Sequence, residues 1–214
     1  MARRLPLPSI APQATYVQTL ATFTTEVRRQ PTPSNKQVHL YYWSPTPTPA
    51  KQIARLLTEL QTLGTKYYPK LEFVVMPQLE LKECSSAGTK SQDLISRYRK
   101  EVYYVAGKLL DKVPGGAFAR LLVTPVGLVS RPTMLTAGLA RRETGVAIYS
   151  TYAEAENTTL MHELAHLLGI RHCTNACLMK AGSNGPLVKK KKKAVPQTFC
   201  AECQAKVDVA CSAI

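Results

Sequence analysis

The chain has 214 residues, 45% of them hydrophobic and 20% charged. That is ordinary globular composition, with length for one substantial domain or two small subdomains. No stretch is long and apolar enough for a membrane-spanning helix, so no membrane span is expected. The formal net charge is +14, and leaving out a run of five lysines (14 − 5) still leaves +9. Such an excess suits nucleic acid, an anionic membrane or acidic substrates, and charge alone does not choose among them.

Residues 1–36 carry Arg3, Arg4, Arg28 and Arg29 against a single acid, Glu26. They lack the apolar core of a secretory signal. They read as a basic, flexible N-terminal extension, with an organelle presequence as the alternative. Residues 31–36 (PTPSNK) look like a break. Residues 38–43 form a compact apolar run that reads as a strand, followed by a Pro/Thr loop at 45–49. Ile53, Leu56, Leu57, Leu60 and Leu63 recur at helical spacing, and Gly64 fits the position after a helix end. Residues 71–76 read as a second strand, stopped by Pro77. After a loop containing Cys84, a second helical face is expected from Leu94, Ile95, Tyr98, Val102, Val105 and Leu109. Pro114, Gly115 and Gly116 end it.

Residues 118–124 are a third strand. Residues 125–142 have no clear period and are expected to hold a short edge strand and an irregular loop. Residues 146–151 are a further strand. Residues 158–168 form a helix with Met161, Leu164, Ala165 and Leu168 on one apolar face. Strands alternating with helices point to an α/β (α+β) fold, a twisted mixed sheet backed by helices. After Gly169 the texture changes to short Cys-rich and Lys-rich segments. The expected domains are therefore the extension 1–36, a catalytic subdomain 37–172 with the active-site helix, and a small C-terminal subdomain 173–214.

The run from His162 to His172, HELAHLLGIRH, fits the pattern HExxHxxGxxH. His162 and His166 are one helical turn apart, so both imidazoles face one point. Gly169 permits a left-handed exit from the helix. That turn can return His172 as a third ligand, leaving a fourth position open, as a catalytic zinc site requires. A zinc ion there would activate water and polarise a scissile carbonyl. Glu163, beside the first ligand, would take the water proton and pass it to the leaving amine. Three of the four histidines fall in this motif; the fourth, His39, lies in a strand and reads as a packed histidine. Some related sites add a tyrosine downstream as an oxyanion donor. Here the last tyrosine, Tyr152, lies upstream of the motif, and Lys180 is the candidate substitute.

Of six cysteines, four form two close pairs, Cys173 with Cys177 and Cys200 with Cys203. Without a secretory signal, a reducing, cytoplasmic compartment is the expectation, and paired cysteines then favour a closed, structural zinc site over disulfides. Such a site contributes folding energy rather than catalysis. It would also fix His172 through its neighbour Cys173. Cys84 and Cys211 read as ordinary thiols.

HExxHxxGxxH, a cysteine directly after the third histidine, then Cys177-Leu178-Met179 and CxxC together resemble the archaemetzincin family of metzincin zinc metallopeptidases. The similarity covers residues 157–203, with Ala137-Gly138-Leu139-Ala140 as a further likeness. It implies a metzincin-type twisted mixed sheet with backing and active-site helices, plus a small C-terminal subdomain built on a four-cysteine zinc site. It implies two Zn²⁺ per chain: one catalytic at His162, His166 and His172 with Glu163 as base, one structural at Cys173, Cys177, Cys200 and Cys203. Met179 takes the position of the methionine turn. Peptide or protein substrates and a monomeric state are expected.

The stretch between Met179 and Cys200 is longer than the family pattern and holds Lys189, Lys190, Lys191, Lys192 and Lys193. Residues 125–142 also depart from it, and in metzincins an edge strand near there pairs with extended substrate. The lysine run reads first as a solvated insertion, then as a nuclear-import signal or a polyanion contact. Two alternatives to a peptidase therefore stay open. One is a weakly active or inactive metzincin-like zinc protein. The other is a basic zinc module that binds nucleic acid.

Overall fold

The computed structural model describes residues 18–26, 29–80, 88–89, 103–131, 134–152, 157–180 and 197–214. Its centre is a five-stranded sheet. The strands are β1 (Gln37–Tyr42), β2 (Glu72–Val75), β5 (Ala119–Thr124), β8 (Gly138–Arg141) and β9 (Val146–Ser150), in the order β2-β1-β5-β9-β8. The first four are mutually parallel, and β8 closes one edge antiparallel to β9. Parallel strands need both faces covered, and the sequences of β5 and β9 show it. Every residue of VAIYS in β9 is buried.

Alternate residues serve different layers. Val38, Leu40, Tyr42, Leu121, Val123, Ala147 and Tyr149 belong to the larger core. Tyr41, Trp43, Leu122, Val146 and Ile148 belong to a second core on the opposite face. The larger core is covered by helix α2 (Ala50–Tyr67) and helix α4 (Thr158–Leu167). Its apolar stripe on α2 is Ile53, Leu57, Leu60 and Tyr67, with Gly64 in the same row. The second core is covered by the short helix α3 (Ala106–Leu110) and by a four-stranded sheet, β3-β4-β6-β7. Its strands are β3 (Gly88–Thr89), β4 (Tyr103–Val105), β6 (Leu128–Arg131) and β7 (Met134–Thr136).

The structure departs from the sequence reading in five places. Helix α2 runs through Gly64 instead of ending before it. A side chain at this position would overlap the Phe73 ring of β2, so the glycine is there for close helix–strand packing. The helical face expected over residues 94–109 is cut short. Residues 94–102 lie outside the described residues, 103–105 are strand β4, and only α3 is helical. Tyr103, Tyr104 and Val105 have strong strand propensity, and β4 finds a parallel partner in β6. The irregular loop and edge strand expected over 125–142 are three strands, β6, β7 and β8. Fourth, part of the flexible extension is docked. Helix α1 (Leu20–Glu26) buries Phe23 completely, and the Arg29 guanidinium donates to the carbonyls of Ala117 and Phe118. Residues 1–17 and 27–28 lie outside the described residues.

The fifth departure is a C-terminal helix that the sequence does not announce, α5 (Ala201–Ala210). It buries Cys203, Lys206, Val207 and Ala210 at helical spacing. These residues, with Cys177, Leu178 and Met179, join the same core as the main sheet and α4. The Cys-rich segment therefore shares its apolar core with the body. Among the described residues no helix is long and apolar enough to cross a membrane.

Helix propensity alone favours alanine over glycine by about 1 kcal/mol, yet the Phe73 ring occupies the space a Cβ at position 64 would need. Gly64→Ala is therefore expected to destabilise the fold by about 1–3 kcal/mol, measured by urea unfolding. Adding Phe73→Leu should restore part of the loss. A stabilised Gly64→Ala single variant would refute the packing account.

Candidate metal centre

Helix α4 is held from both sides before its histidines do anything. Leu160, Met161, Leu164, Ala165 and Leu167 are buried against the main sheet and α2. The fully buried Tyr68 hydroxyl, just past the end of α2, donates to the Met161 carbonyl at 2.5 Å. The next residue, His162, starts the motif, and His166 follows one turn later on the same side.

The helix ends in a Schellman turn. The Gly169 N–H donates to the His166 carbonyl at 3.0 Å, and the Ile170 N–H to the Ala165 carbonyl at 3.0 Å. Gly169 has φ +92°, the left-handed value that glycine adopts without a Cβ penalty. Buried Ile170 anchors the exit. The chain then brings His172 back beside His166.

Three ring nitrogens now converge. His166 Nε2 lies 3.0 Å from His162 Nε2 and 3.2 Å from His172 Nε2. The tautomers follow from the other ring atoms. His162 Nδ1 lies 2.7 Å from the Leu178 carbonyl, and His166 Nδ1 lies 2.7 Å from the Ile170 carbonyl. A carbonyl only accepts, so each Nδ1 carries the proton and each Nε2 presents a lone pair. Burial and the neighbouring imidazoles push His166 down to about 3, and burial holds His162 and His172 below their usual range. Two Nε2 lone pairs, with the Nε2 of His172 converging on the same point, suit a cation. Zinc–nitrogen bonds of 2.0–2.1 Å in tetrahedral geometry give N···N separations of about 3.3 Å, close to those seen.

The side chain of Glu163 lies against the edge strand β8. It is only 7% exposed, and burial pushes its carboxyl up to about 8. Its Oε1 would lie 2.6 Å from a Cβ at Gly138 of β8. A glycine at that place in the edge strand is what gives the carboxyl its seat. Gly138 belongs to the run Ala137-Gly138-Leu139-Ala140, and nothing in the sequence announces its contact with Glu163.

The four cysteines form a second cluster. Cys173 Sγ lies 3.8 Å from Cys200 Sγ, and Cys177 Sγ lies 3.9 Å from Cys203 Sγ. Every ligand atom of the set is within 4.8 Å of the others. These separations are about twice a disulfide bond, and all four are free thiols. Four sulfurs at the 2.3 Å zinc–sulfur distance of a tetrahedral site would stand about 3.8 Å apart. Burial raises Cys200, but the Cys203 N–H, the Asn175 amide and the neighbouring thiols outweigh it and bring Cys200 down to about 7. Burial and the other sulfurs hold Cys203 far above its usual range. The two clusters touch through the backbone. The Cys173 N–H donates to the Met179 carbonyl, and Leu178, between Cys177 and Met179, supplies the carbonyl that orients His162. Met179 is completely buried.

The remaining candidates sit elsewhere. His39 in β1 meets Gln37 Oε1 at 3.3 Å and the Tyr41 hydroxyl at 3.5 Å, a local arrangement away from either ligand set. Tyr152 packs edge-on against Tyr103. Lys180 bridges its backbone to Cys173 and leaves its side chain exposed. Cys211 is a buried thiol, pushed up to about 11 by burial. Cys84 and Lys189 to Lys193 lie outside the described residues.

The mixed sheet and the three-histidine helix match the architecture expected from the sequence. The sequence model of Peptidase family M54 matches residues 150–209. Archaemetzincin from Archaeoglobus fulgidus is 36% identical over 56 residues, 26% of this chain, and the match spans 32% of that relative's length. Three crystal structures share the fold at 20% identity. Archaemetzincin from Methanopyrus kandleri has a TM-score of 0.61 over 83% of this chain and 97% of that one. Archaemetzincin from A. fulgidus, complexed with malonate, has a TM-score of 0.55 over 79% and 99%. A zinc-dependent peptidase from Methanocorpusculum labreanum has a TM-score of 0.51 over the same shares. Residues 150–209 thus carry the Peptidase family M54 pattern, and the chain around them has the fold of the archaemetzincin structures.

Gly169→Ala forces a Cβ into a left-handed backbone. It is expected to cost about 1–2 kcal/mol, read by thermal or urea unfolding. Gly169→Asn, which tolerates this conformation better, should cost less. Equal losses for the two would remove the conformational reason for the glycine.

Proposed function

We propose that this chain is a zinc-dependent metallopeptidase, with His162, His166 and His172 holding the catalytic zinc and Glu163 acting as general base. The observation that carries the reading is the convergence of three histidine Nε2 atoms, with the buried carboxyl of Glu163 next in sequence to the first of them. The shared fold with a zinc-dependent peptidase supports it. A bound zinc would supply a Lewis acid for water and for the scissile carbonyl.

The residues do the rest. The carbonyls of Ile170 and Leu178 hold two imidazoles in the ligating tautomer and raise their basicity. The Glu163 carboxylate, kept from solvent against Gly138, accepts the proton of the attacking water and returns it to the leaving amine. Its burial makes it a stronger base than a solvated glutamate. Strand β8 ends the sheet, and its outer side can pair with an extended peptide backbone. That pairing would carry the scissile bond past Glu163. Cys173, Cys177, Cys200 and Cys203 would hold a second, structural zinc, and buried Met179 would take the position of the methionine turn.

Glu163→Gln should lower kcat/KM on a peptide library by about 10²–10⁴-fold while zinc content stays at two per chain. His172→Ala should release one of the two ions. Activity that survives Glu163→Gln unchanged would refute the base, and a single zinc in the unsubstituted protein would refute the two-site scheme. Gly138→Ala should lower kcat by displacing the carboxylate from its seat, with zinc content unchanged. Unchanged kcat would show that the seat does not matter.

A further inference from the structure

The segment before the main sheet does more than cover the core. Gln18 precedes α1 and is 2% exposed. Its side chain reaches the turn that carries the third histidine. Gln18 Nε2 donates to the Gly169 carbonyl at 3.1 Å, and Gln18 Oε1 accepts the Arg171 N–H at 2.9 Å. One amide thus pairs with the C=O of one residue and the N–H of the residue two further on, as a residue of a parallel strand would. The Schellman bonds end at Ile170. From there to His172 the chain has no helix or strand of its own, and Gln18 pairs its backbone on both sides of Ile170.

The amide is itself fixed. Its second N–H donates to Glu26 Oε2 at 3.1 Å, and the same carboxylate oxygen receives Arg171 NH2 at 3.3 Å. With N–H groups on a carbonyl and a carboxylate, and the oxygen on an N–H, only one orientation of the amide satisfies all three. The backbone carbonyl of Gln18 accepts from Lys206 Nζ of α5. Lys206 is only 4% exposed and pairs with Glu202 at 3.1 Å, one residue before Cys203. A buried lysine is costly unless it is paired in this way. The clamp therefore runs from the helix of the four-cysteine cluster, through Gln18, to the turn of the three-histidine cluster.

We propose that Gln18, on the strap formed with α1, is a positioning residue for the third histidine, so that ion retention at the three-histidine site depends on it. The proposal rests on the zinc reading of that site. Gln18→Met keeps nearly the same side-chain volume and leaves the Gly169 carbonyl and the Arg171 N–H without the amide. His172 then loses its fixed approach, and the site binds its ion less tightly.

The test is zinc competition against a chromophoric chelator, on the full chain, with zinc counted per chain. His172→Ala identifies the ion of the histidine site. Gln18→Met should weaken that ion by about tenfold, the lower end of what ligand-supporting residues contribute, and leave the cysteine-bound zinc in place. Gly64→Ala, which lowers stability at a distance, should not change the affinity. Gln18→Glu, which keeps an acceptor for the Arg171 N–H, should recover part of it. Wild-type affinity in Gln18→Met overturns the strap alone. So does an equal weakening in Gly64→Ala, because the effect would then follow stability. A full chain that takes up no zinc sensitive to His172→Ala fails the peptidase reading as well as the strap.

Discussion

Two backbone carbonyls, those of Ile170 and Leu178, decide which way two histidines face. An imidazole can present either nitrogen, and a helix fixes only where the ring starts. Occupying Nδ1–H leaves Nε2 as the lone pair, and both rings then aim at one point. The carbonyls must themselves be rigid. Ile170 is held by the Schellman turn around Gly169 and by its own burial. Leu178 is held between Cys177 and Met179, with its N–H donating to the Thr198 carbonyl. The geometry of the histidine cluster is thus set by backbone that other parts of the fold immobilise.

This explains why the four cysteines stand so close to the histidines in sequence. Cys173 follows His172 directly, and Cys177 precedes Leu178. Any constraint that fixes these two sulfurs fixes the third histidine at one end of the segment and the carbonyl behind the first at the other. The apolar core makes the same connection without metal, since Leu178, Met179, Cys203 and Val207 pack with α4 and the main sheet. A separate C-terminal lobe with its own core could not transmit position so directly. The price of the arrangement is that damage to the cysteine cluster would propagate to the histidines.

Much of this was legible in the sequence wherever the signal is local. The apolar runs of β1, β5 and β9 and the periodic faces of α2 and α4 need only the rules of side-chain periodicity. The convergence of the histidines follows from a helical turn plus a glycine that can reverse the chain. The cysteines follow from their spacing. What stayed hidden is held by partners distant in sequence. Strands β6, β7 and β8 have no strong period, and pairing with β4 and β9 defines them. Tyr103 to Val105 sits in a stretch whose spacing imitates a helix, and tertiary pairing overrides it. Helix α5 has its apolar residues too thinly spaced among charges to stand out, and Cys203 and Lys206 supply part of its buried face. Gln18 gives no signal at all, because a lone glutamine in a basic segment looks like surface. The carbonyls of Ile170 and Leu178 are invisible for a more general reason: every residue has one.

Glu163 shows how sheet topology and site chemistry meet. A general base needs to be dry enough to be basic yet close to an open strand edge where a peptide can lie. A carboxyl in the middle of a parallel sheet would satisfy only the first need, and one on an exposed loop only the second. Here β8 reverses direction at the sheet's edge and places Gly138 under α4, opposite Tyr149 of β9. The missing side chain makes a recess of about one methyl group, and the carboxyl fills it. The carboxyl is therefore buried by the edge strand itself, not by the sheet interior. Any residue larger than glycine would have to push it out. Under the proposed mechanism the edge strand would hold the base on one face while its outer side pairs with substrate, and a single glycine would make the two roles compatible.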